Sequence, residues 1–84
     1  MAKVELTREA EKDVDALPKA IRLRLLKVVR RLEKWPDVSG AKPLRGSLAA
    51  RFRVRTGDYR VQFYLDGNIV VIEKVGHRDR FYED

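Results

Sequence analysis

From Arg51 to Tyr64 the chain reads Arg-Phe-Arg-Val-Arg-Thr-Gly-Asp-Tyr-Arg-Val-Gln-Phe-Tyr, with polar and apolar residues alternating on both sides of a Thr-Gly-Asp turn signal. Successive side chains of a strand point to opposite faces, so this pattern predicts a β-hairpin with one apolar and one cationic face. Centring the turn on Thr56-Gly57 pairs Phe52 with Val61 and Val54 with Tyr59 on the core side. It pairs Arg51 with Gln62 and Arg53 with Arg60 on the other side. A four-residue loop from Arg55 to Asp58 keeps the same pairs, and a slip of one residue would drive arginines into the core. Opposing Arg53 and Arg60 costs stability unless an anion lies between them.

The charge balance sharpens this. The chain of 84 residues carries a formal net charge of +6. Between Lys42 and Arg60 six cations (Lys42, Arg45, Arg51, Arg53, Arg55 and Arg60) face the single anion Asp58, so that stretch alone holds +5 of the +6. Such concentration points to a polyanionic partner more strongly than a basic average does. The helix cations Arg22, Arg24, Arg30 and Arg31 read instead as solvated faces. No cysteine is present, so a disulfide or thiolate framework is excluded and a reducing, cytoplasmic setting is expected. The longest aliphatic run, Ile69-Val70-Val71-Ile72, is far too short for a membrane span, and no membrane partner is expected. At this length one domain, 1–84, is expected.

The remaining elements follow from local pattern. Lys3 to Leu6 alternates as a first strand, and Thr7 is placed to cap a short helix with Ala10, Val14 and Leu17 on its apolar stripe. Pro18 ends that helix and suits the first position of the next, where Ile21, Leu25, Val28, Val29 and Leu32 form the buried stripe. This second helix should stop near Trp35, which reads as a packing residue, and 36–46 reads as loop. Asp66-Gly67 is a turn dipeptide, so Asn68 to Val75 returns as an antiparallel strand. Centring there sets Val61 opposite Ile72, Phe63 opposite Val70 and Arg60 opposite Glu73. Val71 and Ile69 on the second face make this strand central and covered on both sides, and Gly76 ends it. The predicted fold class is α+β: an N-terminal strand, a two-helix hairpin on one face of a small, mainly antiparallel sheet, and a closing three-stranded meander.

In this order of elements, with Lys42-Pro43-Leu44-Arg45-Gly46, Gly57-Asp58-Tyr59-Arg60, Val75-Gly76-His77-Arg78 and a closing Tyr82, the chain resembles the RelE/ParE toxin superfamily, specifically the RelE-like mRNA interferases. The resemblance implies a ribosome-dependent endoribonuclease that cuts mRNA in the ribosomal A site, contacts the ribosome and its rRNA, and is held inactive by a cognate antitoxin. It implies a catalytic set of Arg51, Arg53, Arg60, Arg78 and Tyr82, with arginine standing at Arg51 and Arg53 where the family often has lysine. Lys42, Arg45, Arg55, Gln62 and Arg80 are expected to bind RNA around that set.

Metal-free RNA cleavage needs the ribose 2′-hydroxyl to lose its proton and attack phosphorus, the extra charge to be held, and the leaving 5′-oxygen to be protonated. Arginine forks match phosphate oxygens but do not accept protons. Proton transfer is therefore expected of Tyr82 or of His77, whose ordinary pKa lies near neutrality. On simple alternation His77 shares the Arg60 face and Arg78 does not, so Arg78 reaches the site only if Gly76 breaks the strand. No His, Asp or Glu cluster has metal-ligand spacing, and no cofactor is expected. Two other functions fit the same residues: a ParE-like, non-catalytic inhibitor of DNA gyrase, and an RNA-binding module that leaves RNA intact.

Overall fold

The structure, a computed structural model, describes residues 2–46 and 50–78. Its elements run β1 (Lys3–Leu6), α1 (Arg8–Asp15), α2 (Lys19–Leu32), β2 (Lys42–Pro43), β3 (Arg51–Thr56), β4 (Tyr59–Asp66) and β5 (Ile69–His77). The strands form one sheet in the order β1-β5-β4-β3-β2. β1 runs parallel to β5, and the other pairs are antiparallel. This is the expected α+β class, with one short strand, β2, inside the stretch read as loop.

Thr7 caps α1 as its position foretells, its Oγ1 accepting the Ala10 N–H at 3.1 Å. Pro18 is the N-cap of α2, one place before the position expected. The stripe of α2 buries Leu25, Val28 and Leu32 against Val54, Val61, Phe63, Val70 and Ile72 of the sheet. Trp35 meets Phe52 and Phe63 edge-on at 5.0 and 5.5 Å, and those two phenyl rings stack on each other at 5.5 Å. Trp35 is thus the packing residue it was read to be, and the aromatic trio closes the core beneath β3 and β4.

Both hairpins sit two residues away from the expected register. Across β3 and β4, Phe52 faces Phe63, Val54 faces Val61, Arg53 faces Gln62 and Arg55 faces Arg60. Across β4 and β5, Phe63 faces Ile72 and Leu65 faces Val70. The cause is turn chemistry. In each two-residue loop, Gly57-Asp58 and Gly67-Asn68, glycine takes the first place with φ of +60° and +59°, as a type II′ loop requires, and not the second. A displacement of two keeps every side chain on its own face, so the alternation that forbids a slip of one cannot detect it. The opposed like charges are therefore Arg55 and Arg60, not Arg53 and Arg60.

A β-bulge interrupts the pairing between Gln62 and Phe63: Phe63 faces Ile72, but Gln62 faces Lys74, leaving Glu73 as the extra residue. Beyond it Val61 faces Val75, Arg60 faces Gly76 in place of the expected Glu73, and Tyr59 faces His77. The strand runs through Gly76 instead of ending there. β5 is interior to the sheet, as expected, but both described helices pack on one face, so Ile69 and Val71 on the other are only half-buried.

β1 pairs with β5 only as far as Leu6 and Ile72. Past that point the start of α1 serves the exposed edge of β5: the Thr7 N–H donates to the Ile72 carbonyl at 2.9 Å, Thr7 Oγ1 donates to the Glu73 carbonyl at 3.3 Å, and Asp13 Oδ2 accepts the Val75 N–H at 3.0 Å. A backbone donor losing such a partner costs about 1–3 kcal/mol. Asp13→Ala is expected to lose stability of that size in urea denaturation, while Asp15→Ala, at the exposed end of α1, stays within about 0.5 kcal/mol of the parent.

Candidate functional site

The face of the sheet opposite the helices carries the charge. Register alone arranges it in rows across the strands. One row is Lys42, Arg53, Gln62 and Lys74; the next is Arg55, Arg60 and Gly76. Arg60 thus lies between a like charge on one side and a residue without a side chain on the other. Its Nε and Nη1 are buried and have no hydrogen-bond partner among the described residues. For a guanidinium in that state, desolvation has been incurred and the compensating contacts are not made within the described fold.

Arg51 is arranged differently. Its Nε donates to Glu73 Oε1 at 2.8 Å, and its guanidinium lies over the Tyr64 ring at 5.4 Å. Gln62, almost wholly buried, donates from Nε2 to the same Glu73 oxygen at 2.9 Å. The bulged residue therefore plants a carboxylate on the cationic face and offsets the charge of Arg51.

At the outer edge, where β2 and its pairing with β3 cover only Phe52 and Arg53, a hollow of about 300 Å³ is lined by Arg31, Gly40, Lys42, Arg53, Val54 and Arg55. Arg31 is held towards it by its Nη2 bond to the Ser39 carbonyl at 2.7 Å. At the end of β5 the Arg78 N–H donates to the Asp58 carbonyl at 2.8 Å, and Arg78 Nε lies 3.9 Å from Asp58 Oδ1. β5 is thereby fastened to the turn that precedes Arg60.

The expected site residues thus divide. Arg53, Arg55, Arg60, Gln62 and Lys42 share the cationic face; Arg51 shares it as half of an ion pair; Arg45 is exposed in the loop after β2. His77 does not join them. The bulge shifts the alternation, so His77 lies on the helix side, edge-on to Tyr59 at 5.3 Å, beside a second hollow that Glu9 and Asp13 also line. The same shift brings Arg78 near the site without any break at Gly76. Arg80 and Tyr82 lie outside the described residues.

Two side chains escape sequence reading, Arg31 at the edge hollow and Lys74 on the cationic face. Arg31 looked like helix solvation, and nothing local separates it from Arg30. Lys74 did leave a signal, since it follows Glu73, which was expected on this face: two adjacent charges in a strand mean that one of them is core-facing or that the strand bulges.

Replacing Arg60 with an apolar residue of similar length removes the uncompensated guanidinium. Arg60→Met is expected to raise stability by about 1–3 kcal/mol in urea denaturation while abolishing anion binding on this face. A loss of stability would mean that the guanidinium is already satisfied in the fold.

Among the described residues no helix is long and apolar enough to cross a membrane. A search of curated proteins gave no match. Residues 4–82 match the model of a family described as the ParE toxin of type II toxin–antitoxin system, parDE. Among solved structures, the chain is similar to one in the toxin–antitoxin complex RelBE2 from Mycobacterium tuberculosis, at 32% identity over 92% of this chain and 98% of that one, with a TM-score of 0.80. It is similar to a chain of the archaeal RelE–RelB complex from Pyrococcus horikoshii, at 28% identity over 94% and 97% of the two chains, TM-score 0.74. The isolated RelE toxin of E. coli shares the fold at 21% identity over 92% and 84%, TM-score 0.75. With a helical pair on one face of its sheet, arginine rows on the other and this match over nearly its whole length, the chain belongs to the ParE toxin family of type II toxin–antitoxin systems, within the RelE/ParE superfamily.

Proposed function

We propose that this toxin is an endoribonuclease that cleaves mRNA in the ribosomal A site, by attack of a ribose 2′-hydroxyl on the adjacent phosphate. The observation that carries the reading is Arg60, whose Nε and Nη1 are buried without partners among the described residues directly opposite Arg55. Such a group is costly to keep, and a phosphate that gains negative charge on the way to the transition state compensates it most when the charge is greatest.

In this reading Arg53 and Arg60 hold the scissile phosphate, with Arg78 approaching from the end of β5. Lys42, Arg45, Arg55 and Gln62, with Arg80 by resemblance and Lys74 and Arg31 by position, hold the flanking backbone and rRNA. Tyr82 is assigned, by resemblance, the protonation of the leaving 5′-oxygen. His77 is given no proton to move, because it faces the helices. No metal is invoked, since permanent cations take the role of stabilising charge. The partner is a cognate antitoxin that covers the cationic rows with acidic side chains, as charge complementarity favours; solved relatives are complexes of RelE with RelB. The setting is cytoplasmic, where ribosomes are.

A second reading is supported by the description of the matching family, which is that of ParE toxins: a non-catalytic inhibitor of DNA gyrase. It demands no row of opposed arginines. The test is purified toxin on translating ribosomes, with mRNA ends mapped by primer extension, beside a gyrase supercoiling assay. The nuclease reading expects cleavage that falls about 10²–10³-fold in Arg60→Ala, the size associated with losing one transition-state donor. Intact mRNA together with inhibited supercoiling would reverse the assignment.

A further inference from the structure

The rows of arginine leave one chemical task unassigned. A guanidinium cannot take the 2′-hydroxyl proton, and of the two residues expected to move protons, Tyr82 is given the leaving oxygen while His77 is on the wrong side of the sheet. The cationic face nevertheless contains a carboxylate fixed in place. Glu73 is the extra residue of the bulge. Its Oε1 accepts from Arg51 Nε at 2.8 Å and from Gln62 Nε2 at 2.9 Å, its side chain is 19% exposed, and its carbonyl accepts from Thr7 Oγ1 at 3.3 Å. Backbone and side chain are both held, and the side-chain bonds keep the carboxylate beside Gln62, in the row of Arg53. Gln62 stands beside Arg60 on β4 and directly across from Arg53.

We propose that Glu73 is the proton acceptor of the cleavage reaction, an inference that rests on the nuclease reading above. The carboxylate takes the proton of the 2′-hydroxyl as O2′ forms its bond to phosphorus. The bond from phosphorus to O5′ breaks, and O5′ takes a proton from the general acid, Tyr82 in that reading. The acid is then replenished from solvent, to which Glu73 returns the proton it accepted. The products are a 2′,3′-cyclic phosphate and a 5′-hydroxyl, and nothing is oxidised, reduced or consumed besides the RNA. Arg51 acts through Glu73, as the clamp that orients the carboxylate, and Gln62 is its neutral counterpart. With the bulge, Lys74 takes the place facing Gln62, and Glu73 beside it still reaches both Gln62 and Arg51.

The test is the cleavage rate and the binding affinity of Glu73→Gln on ribosomes programmed with mRNA. Binding is measured with an otherwise identical mRNA carrying a 2′-deoxy nucleotide at the cleavage position, which cannot react. Glu73→Gln keeps the acceptor for Arg51 and removes the base. Cleavage is expected to fall about 10²–10⁴-fold, as for loss of a general base, with binding unchanged or tighter because a negative charge has gone. Cleavage within tenfold of the parent overturns the assignment, and so does a parallel loss of binding, which would make Glu73 a purely structural residue. If Glu73→Gln does not fold, Glu73→Asp and Glu73→Asn give the same comparison at equal length: the carboxylate variant is expected to cleave at least tenfold faster, and equal rates overturn the proposal. Uncut mRNA with the parent toxin would instead remove the nuclease reading, and the role of Glu73 with it.

Discussion

Glu73 occupies β5 without an opposite residue on β4, and the strand accepts it because the segment around Thr7 and Asp13 supplies hydrogen bonds where β1 has ended. Everything after that point depends on the accommodation. Val75 turns inward to complete the core, Lys74 joins the row of Arg53 and Gln62, Gly76 stands beside Arg60, and His77 packs on Tyr59 beneath the helices. An unbulged strand would reverse each of these placements from Lys74 onward, burying a lysine and exposing a valine.

Two opposite economies meet in the sheet. On the helix side Val54, Val61, Phe63 and Val70 are at most 1% exposed, and each such side chain contributes about 1.5–3 kcal/mol of burial. On the other side Arg55 and Arg60 oppose one another, and part of the Arg60 guanidinium is buried without a partner among the described residues. The fold tolerates this because the apolar layer is continuous under every strand of the meander. A guanidinium buried without a partner is unfavourable by itself, and an anion brought to it would offset that cost. Glu73 shows the alternative within the same face: where Arg51 has an internal anion, no external one is required.

The hairpin from Arg51 to Tyr64, the cap at Thr7 and the stripe of α2 were all legible because each depends on neighbours in sequence, through a period of two or of 3.6 residues and one short-range hydrogen bond. The cationic face was legible for the same reason. Less was visible of the site itself. Arg53 and Arg60 were named, but as direct partners, which they are not. Arg31 is brought to the edge hollow by the loop that returns through Ser39 and Gly40, a path with no periodic signature. The neighbouring charges Glu73 and Lys74 marked the bulge, yet nothing local says which of the two faces which way.

The amino-acid sequence by itself determined which segments become the two helices and the four longer strands, and that one side of the sheet would be basic, because alternation and helical spacing are properties of consecutive residues. Tertiary structure decided the pairing across strands. A register change of two residues leaves every face unaltered and is settled only by the positive φ of Gly57 and Gly67. The parity of β5 is settled by contacts with Thr7 and Asp13, more than sixty residues away along the chain. Those two distant constraints, not the pattern, choose which charges stand beside Arg60.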